Sequence, residues 1–189
     1  AKEPDAQTKD VVAYLEAENK YRDSVMSHTK VFQDSLYNEI IGRIKQTDMS
    51  VPYKYNGYHY ITKFEEGKEY AIRTRKKGDM NAKEEIMIDE NERAKAHTYY
   101  SASGFDVSPD NKILAFGEDV VSRRQYTIRF KNLETGEFLS DEIQNTNGGV
   151  TWANDNKTIF YERKDEALRS FKIFKHIIGT PSSKDVEVF

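Results

Sequence analysis

The sequence predicts a mainly β fold: a partial β-propeller of about three antiparallel blades, preceded by two N-terminal α-helices. Three observations carry that prediction. An apolar period of three to four residues runs through the first 46 positions and gives way to a period of two after Asp48. A turn motif, Ser108-Pro109-Asp110-Asn111-Lys112, returns as Ala153-Asn154-Asp155-Asn156-Lys157, offset by 45 residues. Its flanks keep the same offset: Val107 with Trp152, Leu114 with Ile159, Phe116 with Tyr161, Arg124 with Arg169, Tyr126 with Phe171, and Ile128 with Ile173. A period of roughly 40–50 residues with about four short strands per unit is the pattern of propeller blades.

The elements follow in order. Pro4-Asp5 is a start signal for a helix over 8–27, where Val11, Tyr14, Leu15, Tyr21 and Val25 recur at helical steps. His28-Thr29 separates it from a second helix over 30–46, whose Phe32, Leu36, Ile40 and Ile44 step by four with Ile41 beside them. Asn56-Gly57 lies between the aromatic runs Tyr53–Tyr55 and Tyr58–Phe64. That dipeptide marks a tight hairpin, because both turn positions need positive φ. Glu65-Glu66-Gly67 turns the chain into Tyr70–Arg75, Gly78 closes that strand, and Ile86–Ile88 is a short apolar strand. The two repeats then each read as strand, tight turn, strand, loop, strand and a Gly-bearing turn, with the Asn56-Gly57 hairpin as an earlier, divergent copy. This divides the chain into a helical extension over 1–48 and a propeller part over 49–189, with blades at about 50–90, 100–140 and 147–189. Closed propellers use roughly four to eight blades, so the open blade faces are expected to associate with further sequence or with each other.

Composition excludes several functions. The 189 residues hold 29 Lys+Arg against 32 Asp+Glu, a net charge of −3. A dedicated nucleic-acid binder needs excess positive charge, so no nucleic-acid partner is expected. There is no cysteine, hence no disulfide scaffold and no thiolate metal site. Nothing approaches the about 18 consecutive apolar residues of a membrane span. The opening AKEPDAQTKD has no apolar signal segment, which favours a cytoplasmic over a periplasmic location. A mean hydropathy of −0.82 would suit disorder, but 12 Tyr and 10 Phe in patterned runs do not.

Few residues group into a chemical site. His28, His59, His97 and His176 are scattered, with no H-x-x-x-H or H-E-x-x-H, so no metal or cofactor is expected. Arg73, Arg75, Lys76 and Lys77 read as a solvated strand end. Glu65-Glu66 and Asp89-Glu90 read as turn residues, Trp152 as blade core, and Tyr53, Tyr55, Tyr58 and Tyr60 as one face packed between blades. Glu118-Asp119 follows the strand Ile113–Gly117, with Arg123-Arg124 just beyond. These four bracket a short loop and can form a charge network, or an ordinary solvated loop.

Several longer motifs identify a resemblance. They are Tyr14-Leu15-Glu16-Ala17-Glu18-Asn19, Gly42-Arg43-Ile44-Lys45-Gln46, Ser50-Val51-Pro52-Tyr53, Phe64-Glu65-Glu66-Gly67-Lys68-Glu69-Tyr70, Val107-Ser108-Pro109-Asp110-Asn111, Ser122-Arg123-Arg124-Gln125-Tyr126, Asn132-Leu133-Glu134-Thr135-Gly136 and Trp152-Ala153-Asn154-Asp155. Over nearly its whole length the chain resembles the oligopeptidase B (protease II) group of the prolyl oligopeptidase family of serine peptidases. The resemblance implies a seven-bladed propeller paired with an α/β-hydrolase domain, and N-terminal helices that wrap the hydrolase side. It implies an active site between the domains that admits only short peptides, cleaved after Lys and Arg. Glu118, Asp119, Arg123 and Arg124 would then face the hydrolase domain and substrate, with Glu118 in an interdomain ion pair. The family's Ser, His and Asp lie in the hydrolase domain. This chain has no G-x-S-x-G elbow, so no catalytic residue is placed on it and the chain alone is expected to be inactive. The partners implied are the C-terminal hydrolase domain and short basic peptides. The alternative is a non-catalytic propeller used for protein interaction, which explains the repeats but not the helices or the motifs.

Overall fold

The computed structural model describes residues 5–189, so Pro4 lies outside the described residues. The chain divides into two compact units, 1–45 and 46–189. In the first, α1 (Ala6–Met26) starts at Asp5, whose carboxylate accepts the Thr8 N–H at 2.7 Å. This is an ordinary side-chain N-cap. A single 3-10 turn at Ser27–Thr29 separates it from α2 (Lys30–Gly42). That helix ends at Gly42, four residues short of the predicted boundary, because glycine is a poor helix former. The stripe Phe32, Leu36 and Ile40 stays exposed, and neither helix buries a residue.

The second unit is built from antiparallel strands. The first sheet comprises β1 (Asp48–Met49), β2 (Tyr53–Tyr55), β3 (Tyr58–Phe64), β4 (Ile72–Lys77) and β5 (Glu84–Asp89), with β1 and β2 both pairing β3. The β2–β3 hairpin turns at Asn56 and Gly57, with φ of 44° and 80°. A short helix, α3 (Glu90–Ala94), leads out. The second sheet runs in sequence order through β6 (Ser101–Val107), β7 (Ile113–Asp119), β8 (Tyr126–Asn132), β9 (Phe138–Trp152), β10 (Thr158–Lys164), β11 (Ser170–Ile177) and β12 (Val186–Glu187). Its 15-residue strand β9 serves two units: the first half pairs β8 and the second half pairs β10. Thr146 is where the partner changes, opposite both Tyr126 and Arg163. Its buried hydroxyl donates to the Tyr126 carbonyl at 3.0 Å and accepts the Gly148 N–H at 3.1 Å, holding the bend.

Two apolar clusters hold these layers together. One joins Tyr58, Tyr60, Met87 and Ile88 to Leu114 and Phe116; the other joins Ala115, Ile128, Phe130 and Ile143 to Ile159 and Tyr161. Strand β7 feeds both, Leu114 and Phe116 from one face and Ala115 from the other, so the middle blade is buried on both sides. Tyr58 and Tyr60 pack between blades as expected. Tyr53 stacks on Tyr60 at 5.2 Å yet stays, with Tyr55, largely exposed.

The repeated turns also bond to one another. Asn56, Asn111 and Asn156 all adopt positive φ. Asn56 Nδ2 donates to the Pro109 carbonyl at 2.7 Å, Asn111 Nδ2 donates to the Asn56 carbonyl at 3.2 Å, and the Asp110 N–H donates to Asn156 Oδ1 at 2.8 Å. The Asx residues therefore both close each hairpin and link successive blades. Asp155 accepts the N–H groups of Lys157 and Thr158 and the Thr158 hydroxyl, which holds its carboxyl at about 2 against an ordinary 3.8. Its folded value lies below its unfolded one. Its contribution to stability is thus complete above about pH 4 and is lost as pH falls through 2. A carboxyl-carbon NMR titration should place Asp155 near 2; a midpoint at 3.8 would show that this turn does not form.

Candidate functional site

The predicted site residues lie at one end of β7 and in the loop after it. The strand runs on to Asp119, two residues past the sequence boundary, and carries Glu118 and Asp119 into the interior at 4% and 1% exposure. The expected charge network between these carboxylates and Arg123-Arg124 does not form. Glu118 instead accepts Arg93 Nε and Nη2 at 2.7 and 2.8 Å and the Tyr100 hydroxyl at 2.8 Å. Arg129 Nε lies 2.7 Å from Glu118 Oε2 but off the hydrogen-bond direction, so that contact is Coulombic. Arg129 Nη1 reaches on to Glu142 at 3.0 Å. Burial by itself would raise the Glu118 pKa; the hydrogen bonds from Arg93 and Tyr100 and the two guanidinium charges outweigh it and hold the carboxyl below its ordinary value. The Tyr100 phenol is pushed upward, by burial first and then by the Glu118 charge.

Asp119 works on the backbone. Oδ1 accepts the Val121 N–H at 2.9 Å, and Oδ2 accepts those of Arg123 and Arg124 at 3.0 and 2.6 Å. One carboxylate thus folds the whole loop, including Ser122 and Arg124 at φ of 62° and 54°. The loop presents Val120, Val121, Arg123 and Arg124 outward. Among the described residues, no side-chain hydrogen bond or ion pair engages the Arg123 or Arg124 guanidinium, while the Arg124 carbonyl accepts Lys164 Nζ at 2.6 Å.

Other charged residues were hidden from the sequence reading. Arg75 is not a solvated strand end. Its side chain is 3% exposed, bonded to Glu85 and to the Asn111 carbonyl, and lies 4.1 Å over the Tyr58 ring. Arg73 binds the buried Glu90 at 2.7 Å. Burial pushes the Glu90 carboxyl up, against that Arg73 hydrogen bond. Asp89-Glu90 is not a turn either: Asp89 caps α3 by accepting the Asn91 N–H, and Glu90 opens the helix. His176 is buried between Asp185, 2.7 Å from Nδ1, and Asp141, 3.1 Å from Nε2, and stacks on Phe130. Tyr161 donates to Asp185 at 2.7 Å, and the Gly179 N–H to Asp141. These partners are up to 38 residues apart, and nothing in local sequence signals them. No cluster of three or more candidate metal ligands occurs among the described residues. No helix among them is long and apolar enough to cross a membrane.

Comparison with known proteins agrees with this architecture. Residues 4–189 match the family model of the prolyl oligopeptidase N-terminal beta-propeller domain. The chain is 41% identical to dipeptidyl aminopeptidase BI of Pseudoxanthomonas mexicana, over 97% of its own length and 28% of the relative's. It is 30% identical to Protease 2 of Moraxella lacunata, over 98% and 28%. Among solved structures, oligopeptidase B of Leishmania major superposes with a TM-score of 0.87 at 32% identity, covering 95% of this chain and 26% of that one. The closed, antipain-bound oligopeptidase B of Trypanosoma brucei gives 0.87 at 30% identity, covering 98% and 26%. The chain spans little more than a quarter of the length of these relatives.

Proposed function

The chain belongs to the prolyl oligopeptidase family, carrying its N-terminal β-propeller domain, and from that premise we propose that it is the propeller part of an oligopeptidase B-like serine peptidase that cleaves short peptides after Lys or Arg. The observation that carries the reading is a mismatch of extent. The chain aligns over 97% of its length with a peptidase of which it spans 28%, and it holds no G-x-S-x-G nucleophile. The Ser, His and Asp belong to an α/β-hydrolase domain of the same polypeptide, where Ser attacks, His moves the proton and Asp orients the imidazole.

The blades gate that site. A rigid ring admits a flexible short peptide and turns away a folded protein. The doubly buried middle blade and the bonded Asx turns support such rigidity. Phe171, Ile177, Val186 and Val188 are exposed on the last blade, and further blades cover them. Asp119 acts from beneath, by holding the loop that faces the hydrolase domain, and Glu118 ties the end of β7 to Arg93 and Tyr100. Arg123 and Arg124 are the charges that this loop offers it.

A fluorogenic peptide ending in Lys or Arg tests the reading, offered to the full-length peptidase and to this chain alone. Cleavage by the full-length protein only is expected. Cleavage by this chain alone, or a full-length protein indifferent to Lys and Arg, would overturn it. Exposed ion pairs contribute about 0–1 kcal/mol each. The R123A/R124A double variant should therefore lose less than roughly tenfold in kcat/KM, and the loss should shrink in high salt.

A further inference from the structure

The second and third blades enclose a groove of about 730 Å³ that the mechanism above does not use. It is lined by Glu142, Gln144 and Asn145 from β9, Arg163 and Lys164 from β10, and Lys172 and Phe174 from β11. Its size suits a small ligand. Its charge is uneven. The one carboxylate in the lining, Glu142, is taken by Arg129 and Gln144. Lys172 is paired with Glu187 at 2.7 Å, and Lys164 is bound to the Arg124 carbonyl.

Arg163 is different. Its guanidinium lies 4.5 Å over the Phe174 ring, and Nη2 reaches the Tyr161 hydroxyl at 3.1 Å. Its Nε is buried with no hydrogen-bond partner, and no carboxylate pairs with the group among the described residues. A half-buried guanidinium that pairs with no carboxylate is an incomplete site, because a buried donor without an acceptor is costly. The ring beneath fixes the guanidinium plane, and that planar fork matches a carboxylate.

We propose that this groove binds the free α-carboxylate of a short peptide on Arg163, with the terminal side chain against Phe174. A monoanion is favoured over a phosphate because only one cation in the lining lacks an anionic or carbonyl partner, and because aromatic surface adjoins it. The assignment rests on the peptidase reading: it makes the propeller a reader of the substrate's C-terminus, so that oligopeptides are selected by having a nearby end as well as by fitting the ring.

Acetyl-Ala-Ala-Phe as free acid, the same peptide as C-terminal amide, and inorganic phosphate are titrated calorimetrically into the full-length protein. The probes contain no Lys or Arg and are not consumed, so binding is read separately from hydrolysis. Failure here leaves the peptidase reading to its own assay. The acid should bind at least tenfold tighter than the amide and tighter than phosphate. Arg163→Gln should abolish the preference for the acid, and Arg163→Lys, which keeps charge without the fork, should cut it several-fold. Equal binding of acid and amide overturns the proposal, as does a preference that survives in Arg163→Gln. Phosphate binding tighter than the acid also overturns it. Should Arg163→Gln fail to fold, an unchanged preference in Arg163→Lys overturns it equally.

Discussion

Gly117→Ala is expected to cost the propeller unit about 3 kcal/mol, the upper end of what overpacking does to a close-packed interior. Urea unfolding followed by tryptophan fluorescence would measure it, since Trp152 is the single tryptophan. Gly117 sits in β7 with no positive φ, so its backbone accepts any residue. The obstacle is space. A Cβ there would lie 2.4 Å from Gly148 Cα and 2.7 Å from its carbonyl oxygen, well inside van der Waals contact. These are backbone atoms of the bent strand β9, and no rotamer moves them aside. Gly148 has little room to shift, because even a Cβ built on it would lie 2.8 Å from the Tyr126 ring. Relief requires the strands to part where Thr146 fixes the change of partner. Domains of this size are stable by roughly 5–15 kcal/mol, so the loss would be plain in the midpoint. A change below about 0.5 kcal/mol would mean that the blades do not meet this closely.

The strands around Gly117 were legible because their signals are local. Asn56-Gly57 can close only one kind of hairpin. Asp110-Asn111 and Asp155-Asn156 supply the carboxylates and left-handed residues that tight turns need, and they recur at the blade period. The helices were legible from the spacing of Val11, Leu15, Phe32 and Leu36. Charged-residue burial was not. Sequence reasoning places Arg75 at a solvated strand end, Glu90 in a turn and Glu118 in a loop, since charges seldom enter cores unpaired. Each is buried because a partner 10 to 25 residues away meets it: Glu85 for Arg75, Arg73 for Glu90, Arg93 for Glu118. Arg75 meets Glu85 across β4 and β5, Arg73 meets Glu90 at the end of the same strand pair, and Arg93 reaches from α3 to β7, so these pairings follow from strand register and tertiary packing, which no local pattern encodes. Strand β7 shows the limit plainly. Its run Ile-Leu-Ala-Phe-Gly reads as apolar, and the Glu-Asp after it reads as the loop's start. With both faces covered, the strand has no wet side to which those carboxylates could turn.

Glu118→Gln should then be the most informative single change near the loop. The amide keeps the size of the side chain but removes its charge. Arg93 would lose its anion, Arg129 would keep only Glu142, and the amide nitrogen would meet a donor where a carboxylate oxygen now accepts. Breaking one partner of a buried ion cluster costs about 3–5 kcal/mol. Arg93 and Arg129 keep 30% and 35% side-chain exposure, so water relieves part of this and the lower end is expected. The pH dependence separates this cause from a simple packing defect. Glu118 titrates below its ordinary 4.5 in the folded chain. Its stabilisation is therefore complete above about pH 4.5 and fades as pH falls through the lower folded value. The variant should lie furthest below the parent at neutral pH, and the two curves should converge in acid. A parallel offset at every pH would assign the loss to packing alone. Asp119→Asn provides the contrast in the full-length protein. It leaves the Glu118 cluster intact but weakens the carboxylate that gathers the Val121, Arg123 and Arg124 amides. If the loop meets the hydrolase domain, Asp119→Asn should lower kcat/KM with little loss of stability, whereas Glu118→Gln should lower stability first.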